Sequence, residues 1–276
     1  YFVKDGSQLT AFRLGNSNLA ETGFRMSSAH HDYPGFRIKP AGSSVENGFE
    51  RLIVEPYGGL IVRGWFDRPL SVAGRLFVRD GDGIKGININ IHEPLLIVPS
   101  VAIHIVRDVN ENAKVSMQTE VSPVFCQSEN GEKSFIPYIA QRTGVKVEDV
   151  LSFELSTYEY QPGCFVGKDG EFISTGRLDD AAMVYASFTA LLEASNSEYS
   201  CIAVAYDHEE IGSNSTRGAR SNSLMMTIDR ICEKLGLTAE GKYRALANSL
   251  MFSADMAHAT HPAYVGKADP NHRIKL

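Results

Sequence analysis

Cysteine is scarce and scattered in this 276-residue sequence: Cys126, Cys164, Cys201 and Cys232 stand far apart, with no C-x-x-C pair. That excludes the dense disulfide framework of small secreted domains, and the expectation is buried free thiols in a reducing compartment. No apolar run approaches the ~20 residues of a membrane span, and the start shows no basic region followed by an apolar signal core. No Lys/Arg cluster appears, and the formal charge is -6, so a phosphate-backbone partner is excluded. Internal repeats and low-complexity tracts are also missing. These absences leave a soluble, cytoplasmic protein with no nucleic-acid and no membrane partner, whose ligands are small molecules or peptides. An apolar content of 43% suffices for real cores.

Two strand-like pieces open the chain, Tyr1-Phe2-Val3 and Thr10-Ala11-Phe12-Arg13-Leu14. The Asp5-Gly6-Ser7 turn between them favours a hairpin. From residue 51 to about 124, short β-branched runs (Leu52-Ile53-Val54, Leu60-Ile61-Val62, Leu76-Phe77-Val78, Ile87-Asn88-Ile89-Asn90-Ile91) recur between turns, the pattern of an all-β module. Beyond residue 148 strands and helices alternate: strand 151–158, helix 180–194, strand 201–206, helix 221–235, strand 250–254. That alternation predicts α/β layers with a largely parallel sheet. The expected architecture is an α/β domain carrying an inserted β domain: residues 1–45 and 148–276 form the first, residues 46–147 the second. The chain opens at Tyr1 without a methionine and stops at Leu276, the expectation being a fragment of a longer protein.

Four spots combine metal-ligand residue types with the ends of predicted strands, where open α/β sheets bind ligands. Ser28-Ala29-His30-His31-Asp32 offers an imidazole and a carboxylate two residues on that suits an orienting role, or else a surface His-Asp hydrogen bond. Gly176-Arg177-Leu178-Asp179-Asp180 precedes a helix, so capping is the bland alternative to ligation. Asp207-His208-Glu209-Glu210 crowds ionisable groups after an apolar strand, which costs repulsion unless a cation or proton offsets it. Ser253-Ala254-Asp255-Met256-Ala257-His258, with His261 behind, follows another apolar run or begins a helix. Together they fit two divalent ions and a water made nucleophilic near neutral pH. Adjacent Glu209 and Glu210 can divide the work, one binding metal and the other acting as base.

Other features read as structural. Gly81-Asp82-Gly83-Ile84-Lys85-Gly86 matches G-x-G-x-x-G but lies between strands, so it is a hairpin turn and no dinucleotide site. His104, in Val101-Ala102-Ile103-His104-Ile105, is expected in an apolar strand, and Leu224, Met225 and Met226 in the core.

The four motifs in this order, with His30-His31-Asp32-Tyr33-Pro34-Gly35-Phe36-Arg37-Ile38-Lys39-Pro40 extending the first, resemble the aspartyl aminopeptidase family of metallopeptidases. The likeness spans essentially the whole chain, including Glu93-Pro94-Leu95-Leu96. It implies a zinc-peptidase-like α/β catalytic domain with an inserted β dimerisation domain. His30, Asp179 and Asp255 would bind one metal, Asp179 would bridge to a second, and Glu210 would bind that second ion. Glu209 would be the general base and Asp32 would orient the site. The resemblance further implies that His104 reaches a neighbouring subunit's site; His258 is read as substrate-binding or supporting. Two zinc ions per subunit are expected, manganese and cobalt being compatible with the same ligands. Peptide substrates, acidic N-terminal residues and a dimer-based homo-oligomer, up to a dodecamer, complete the expectation. Family members continue past residue 276 and hold the last histidine ligand there, and His31 stands where a small residue is usual. Rival readings are a related aminopeptidase or deacylase of different specificity and an inactive oligomeric scaffold lacking that ligand.

Overall fold

The computed structural model describes residues 1–111, 114–195 and 198–275, and the chain divides into two compact units, Tyr1–Tyr33 with Arg177–Leu276, and Pro34–Gly176. The first unit begins with β1 (Phe2–Asp5) and β2 (Gln8–Arg13), an antiparallel hairpin that turns where Gly6 adopts φ +61°. A one-turn helix α1 (Leu19–Thr22), capped by the Asn18 side chain on the Ala20 amide, leads into β3 (Phe24–His30).

The second unit is built on a six-stranded antiparallel sheet ordered β7-β6-β9-β4-β5-β8. Its strands are β4 (Gly35–Glu46), β5 (Phe49–Tyr57), β6 (Leu70–Asp80), β7 (Gly83–Asn90), β8 (Val124–Gln127) and, after helix α2 (Phe135–Thr143), β9 (Val150–Glu159). Asn47 and Gly48 join β4 to β5 with positive φ at both positions, the backbone that suits a two-residue hairpin. The Gly81-Asp82 stretch likewise closes β6 on β7, as its place between strands predicts. Phe36, Leu52, Leu70, Leu76 and Leu155 form the core, with Phe135 of α2. A ribbon of β10 (Cys164–Val166) and β11 (Phe172–Ser174) ends the unit.

Several expectations shift here. The seams at 45/46 and 147/148 both fall inside the second unit, because β4 starts at Gly35 and β9 pairs with β6 over most of its length. The run 151–158 is therefore antiparallel and belongs to this sheet, since an apolar strand does not name its partner. The unit is not all β, given α2. Leu60 and Ile61 are irregular and Val62–Trp65 forms a 3-10 turn instead of a strand. Of the four cysteines only Cys232 is buried, and Cys164 is exposed.

Returning to the first unit, α3 (Leu178–Glu193), β12 (Ser200–Tyr206), α4 (Ser223–Lys234), α5 (Ala239–Ala247) and β13 (Leu250–Ser253) follow. The sheet order is β1-β2-β12-β3-β13. β12 runs parallel to β3, β3 parallel to β13, and β2 antiparallel to β12, so the expected parallel sheet acquires an antiparallel flank. Ile202, Val204 and Tyr206 pack with Phe24 and with Ile228, Ile231 and Cys232 of α4. β12 is buried almost throughout, as its unbroken apolar run requires. Met225 and Met226 are exposed, because α4 turns Ile228 and Ile231 to the core instead.

Candidate metal centre

Three parallel strands end at one edge of the first unit's sheet. Tyr206 lies opposite His30 in the β12–β3 register, Ser253 opposite Ser28 in β13–β3, and the Ala254 amide donates to the Ser28 carbonyl at 2.8 Å. Whatever follows those positions is delivered together: His30 and Asp32 after β3, Asp207 to Glu210 after β12, Asp255 after β13. The start of α3 adds Asp179 and Asp180. The carboxyl ends of parallel strands are where such sheets present ligand-binding groups.

His30 is the hub. Its ring is buried, and Nε2 lies 3.2 Å from Asp179 Oδ1, 3.8 Å from Glu209 Oε2 and 3.9 Å from Asp255 Oδ1. On the other side Nδ1 meets only acceptors, the Asp32 carbonyl at 3.0 Å and Asp32 Oδ1 at 3.3 Å. A neutral ring must carry its proton on Nδ1 to satisfy them, which leaves the Nε2 lone pair facing the carboxylates. Asp32 does a second job: Oδ1 accepts from the Glu209 amide at 3.1 Å and Oδ2 from the Glu210 amide at 3.2 Å. One buried carboxylate thus aligns the imidazole and both glutamates.

Electrostatics show what the cluster lacks. Burial opposes charge on His30, but the hydrogen bond and charge of Asp32, with the charges of Asp180 and Glu209, outweigh it and lift the ring to about 9. Glu210 is pushed up by burial first and then by Glu209, Asp179 and Asp32, against the pull of His30. Crowded acids whose charged form is disfavoured are acids that a cation would relieve. Two sets of groups have ligand atoms within 4.8 Å of one another, His30 with Asp179 and Asp255, and His30 with Glu209 and Glu210. Asp179 and Asp255 are more than half exposed, at 52% and 60%, whereas the His30 ring beside them is buried.

Asp180, in the sequence one half of a cap or ligand pair, has a distinct place in the structure. It is 1% exposed, Oδ2 accepts from the His30 amide at 3.1 Å, and buried Oδ1 has no hydrogen-bond partner. Burial first, then the Asp255 and Asp179 charges, raise it to about 6 although the His30 amide and ring oppose this. It caps nothing: its one hydrogen bond goes to the His30 amide and none to the amides of α3, within which Asp179 and Asp180 themselves are non-helical. Asp next to Asp before a helix was the only available signal. His258 is exposed and stands in neither ligand set, and among the described residues His30 is the one histidine in them. His104 lies in the other unit, in an exposed turn where a strand was expected, since Val101, Ile103, Ile105 and Val106 are apolar but uncovered. The His31 ring is turned to the Ser7 carbonyl, with Nε2 2.9 Å away.

The aminopeptidase I zinc metalloprotease family (M18) matches the chain over residues 1–276. The chain belongs to this family. It is 42% identical over 277 residues to a probable M18 family aminopeptidase 2 of Clostridium acetobutylicum, covering 98% of this chain and 64% of that protein. Ape4, solved in complex with Nbr1, superimposes with a TM-score of 0.93 at 32% identity, over 100% of this chain and 57% of that one. The mApe1 dodecamer of S. cerevisiae gives a TM-score of 0.82 at 25% identity, over 99% and 64% respectively. The chain therefore spans just under two thirds of the length of the curated relatives it matches, 64% and 65% for two clostridial ones. M18 proteins are zinc metalloproteases, and the donor set here suits that metal: one imidazole, oriented through Nδ1 by Asp32 so that Nε2 is turned to a ring of carboxylate oxygens.

Proposed function

We propose that this chain forms the metal-binding part of an aminopeptidase that removes N-terminal residues, preferentially Asp or Glu, from peptides. The convergence of His30, Asp179, Asp255, Glu209 and Glu210 at one sheet edge carries the reading, and membership of M18 supports it. His30, Asp179 and Asp255 would hold one zinc ion, while Asp179 and Glu210 would contribute to a second. Bound zinc supplies a Lewis acid that polarises the scissile carbonyl and makes water nucleophilic near neutral pH. Glu209, more exposed than Glu210, accepts the proton of the attacking water and returns it to the departing amine. Asp32 keeps that carboxylate and the His30 ring in place. Acidic preference rests on the aspartyl aminopeptidase likeness of the four motifs.

The same relatives support a homo-oligomer, one of them being a dodecamer. We place the protein in the cytoplasm; no helix among the described residues is long and apolar enough to cross a membrane. The second unit would serve dimerisation, with His104 contributing to a neighbour's site and His258 to substrate binding. Hydrolysis of Asp-, Glu-, Leu- and Lys-terminated peptides, before and after chelation and zinc readdition, tests the reading. Zinc-dependent release led by Asp and Glu is the expected result. Release led by Leu would move the chain to an aminopeptidase of other specificity, and no release with one or no zinc per chain would favour the inactive scaffold.

A further inference from the structure

We propose that Ser7, in the turn between β1 and β2, is a positioning residue for the metal centre, tying together the two segments that carry its imidazole and its paired glutamates. The inference rests on the functional reading above. Ser7 makes two bonds. Its hydroxyl donates to Asp207 Oδ2 at 2.5 Å, and its carbonyl accepts from His31 Nε2 at 2.9 Å. His31 sits between His30 and Asp32, and Asp207 lies two residues before Glu209. One hairpin turn therefore holds both the end of β3 and the end of β12.

The segment after β12 is secured from within as well. Asp207 Oδ1 accepts from the His208 amide at 2.8 Å, and the Asp207 amide donates to the Arg217 carbonyl at 3.1 Å. His208 takes a left-handed backbone, φ +63°, which re-aims the chain just before Glu209. Ser215 Oγ already accepts from the Arg217 and Gly218 amides at 3.2 and 3.0 Å. Its own proton therefore goes to His208 Nδ1, 2.7 Å away, leaving the proton on Nε2 to face Asp207 Oδ2 at 3.4 Å. Arg217 is in turn paired with Asp5 at 3.0 Å, on the hairpin that presents Ser7. The loop bearing Glu209 and Glu210 is thus anchored through Asp207, whose side chain is 13% exposed, and Ser7 is the anchor's distant end. A surface serine bonded to one neighbour would only decorate a turn; this one reaches 200 residues along the chain to a largely buried acid.

The test compares Ser7→Ala and Ser7→Thr with the natural full-length protein, by zinc competition against a chromogenic chelator and by kcat and KM on an Asp-terminated peptide. Ser7→Ala is expected to weaken zinc about tenfold and to lower kcat with KM little changed, because supporting bonds around a metal centre carry effects of that order. Ser7→Thr, which keeps the hydroxyl, restores both, and the melting temperature stays where it was. Natural affinity and kcat in Ser7→Ala, or equal loss in both variants, would overturn the positioning role. A natural protein that neither binds zinc nor cleaves peptides would instead defeat the functional reading, and the positioning role with it.

Discussion

Glu50 in the second unit and Asp180 in the first are both acids with almost no exposed surface, and their surroundings are opposite. Glu50 accepts from the Ser43 hydroxyl, from the Ser134 amide and hydroxyl, and from the Phe135 amide at the start of α2. Burial alone would raise its carboxyl, but these donors overcome burial and hold it below the ordinary range. Asp180 has one donor, an orphaned oxygen and acidic neighbours, and is raised instead. Buried charge that is fully satisfied locks a helix to a sheet. Buried charge left short of partners marks a place arranged for something else, and here it adjoins the one histidine that every carboxylate of the cluster faces.

Three substitutions sharpen this contrast. The largest effect is expected for Glu209→Gln, which keeps the shape and removes the base: kcat should fall about 10²- to 10⁴-fold while zinc stoichiometry, measured by atomic absorption, is unchanged. Retained turnover would move the base elsewhere. Next is Asp32→Asn. Each Asp32 oxygen takes one glutamate amide, so an NH₂ group sets donor against donor; zinc affinity should drop about 10- to 100-fold in a chelator competition. The smallest lies in the second unit, where Glu50→Gln should cost about 1–3 kcal/mol in denaturant unfolding and leave zinc affinity untouched. Its pH signature also has a definite sign. A carboxyl lowered on folding stabilises above its unfolded value and loses that contribution as pH falls through the folded one, so Glu50→Gln should flatten the acid side of the stability profile. Loss of zinc in Glu50→Gln would dissolve the distinction between the two buried acids.

How much of this is legible in sequence depends on whether a motif carries its own neighbours. Ile202 to Tyr206 is an apolar run followed at once by Asp207 to Glu210, so both strand and cluster are readable; β3 carries Ser27 and Ser28 and is a plainer signal for His30 and Asp32 at its end than for the strand itself. Pairing is less readable. Residues 151–158 look alike in a parallel or an antiparallel sheet, and nothing local sends β9 to β6. Helix α2 escapes notice because Pro137 lies in its first turn, where proline is tolerated, and α5 because its apolar face is short. Val101 to Val106 has strand composition but is exposed, and burial is a property of the assembled unit. Asp180 was hidden by resemblance to a cap, and Ser7 by the 200 residues separating it from Asp207.

The most direct test is a crystal grown or soaked with zinc and measured at the zinc absorption edge. The account predicts an anomalous peak about 2.1 Å from His30 Nε2, with Asp179 and Asp255 oxygens completing its inner contacts. No peak at His30, or a peak held instead by His261 or His272, would contradict it.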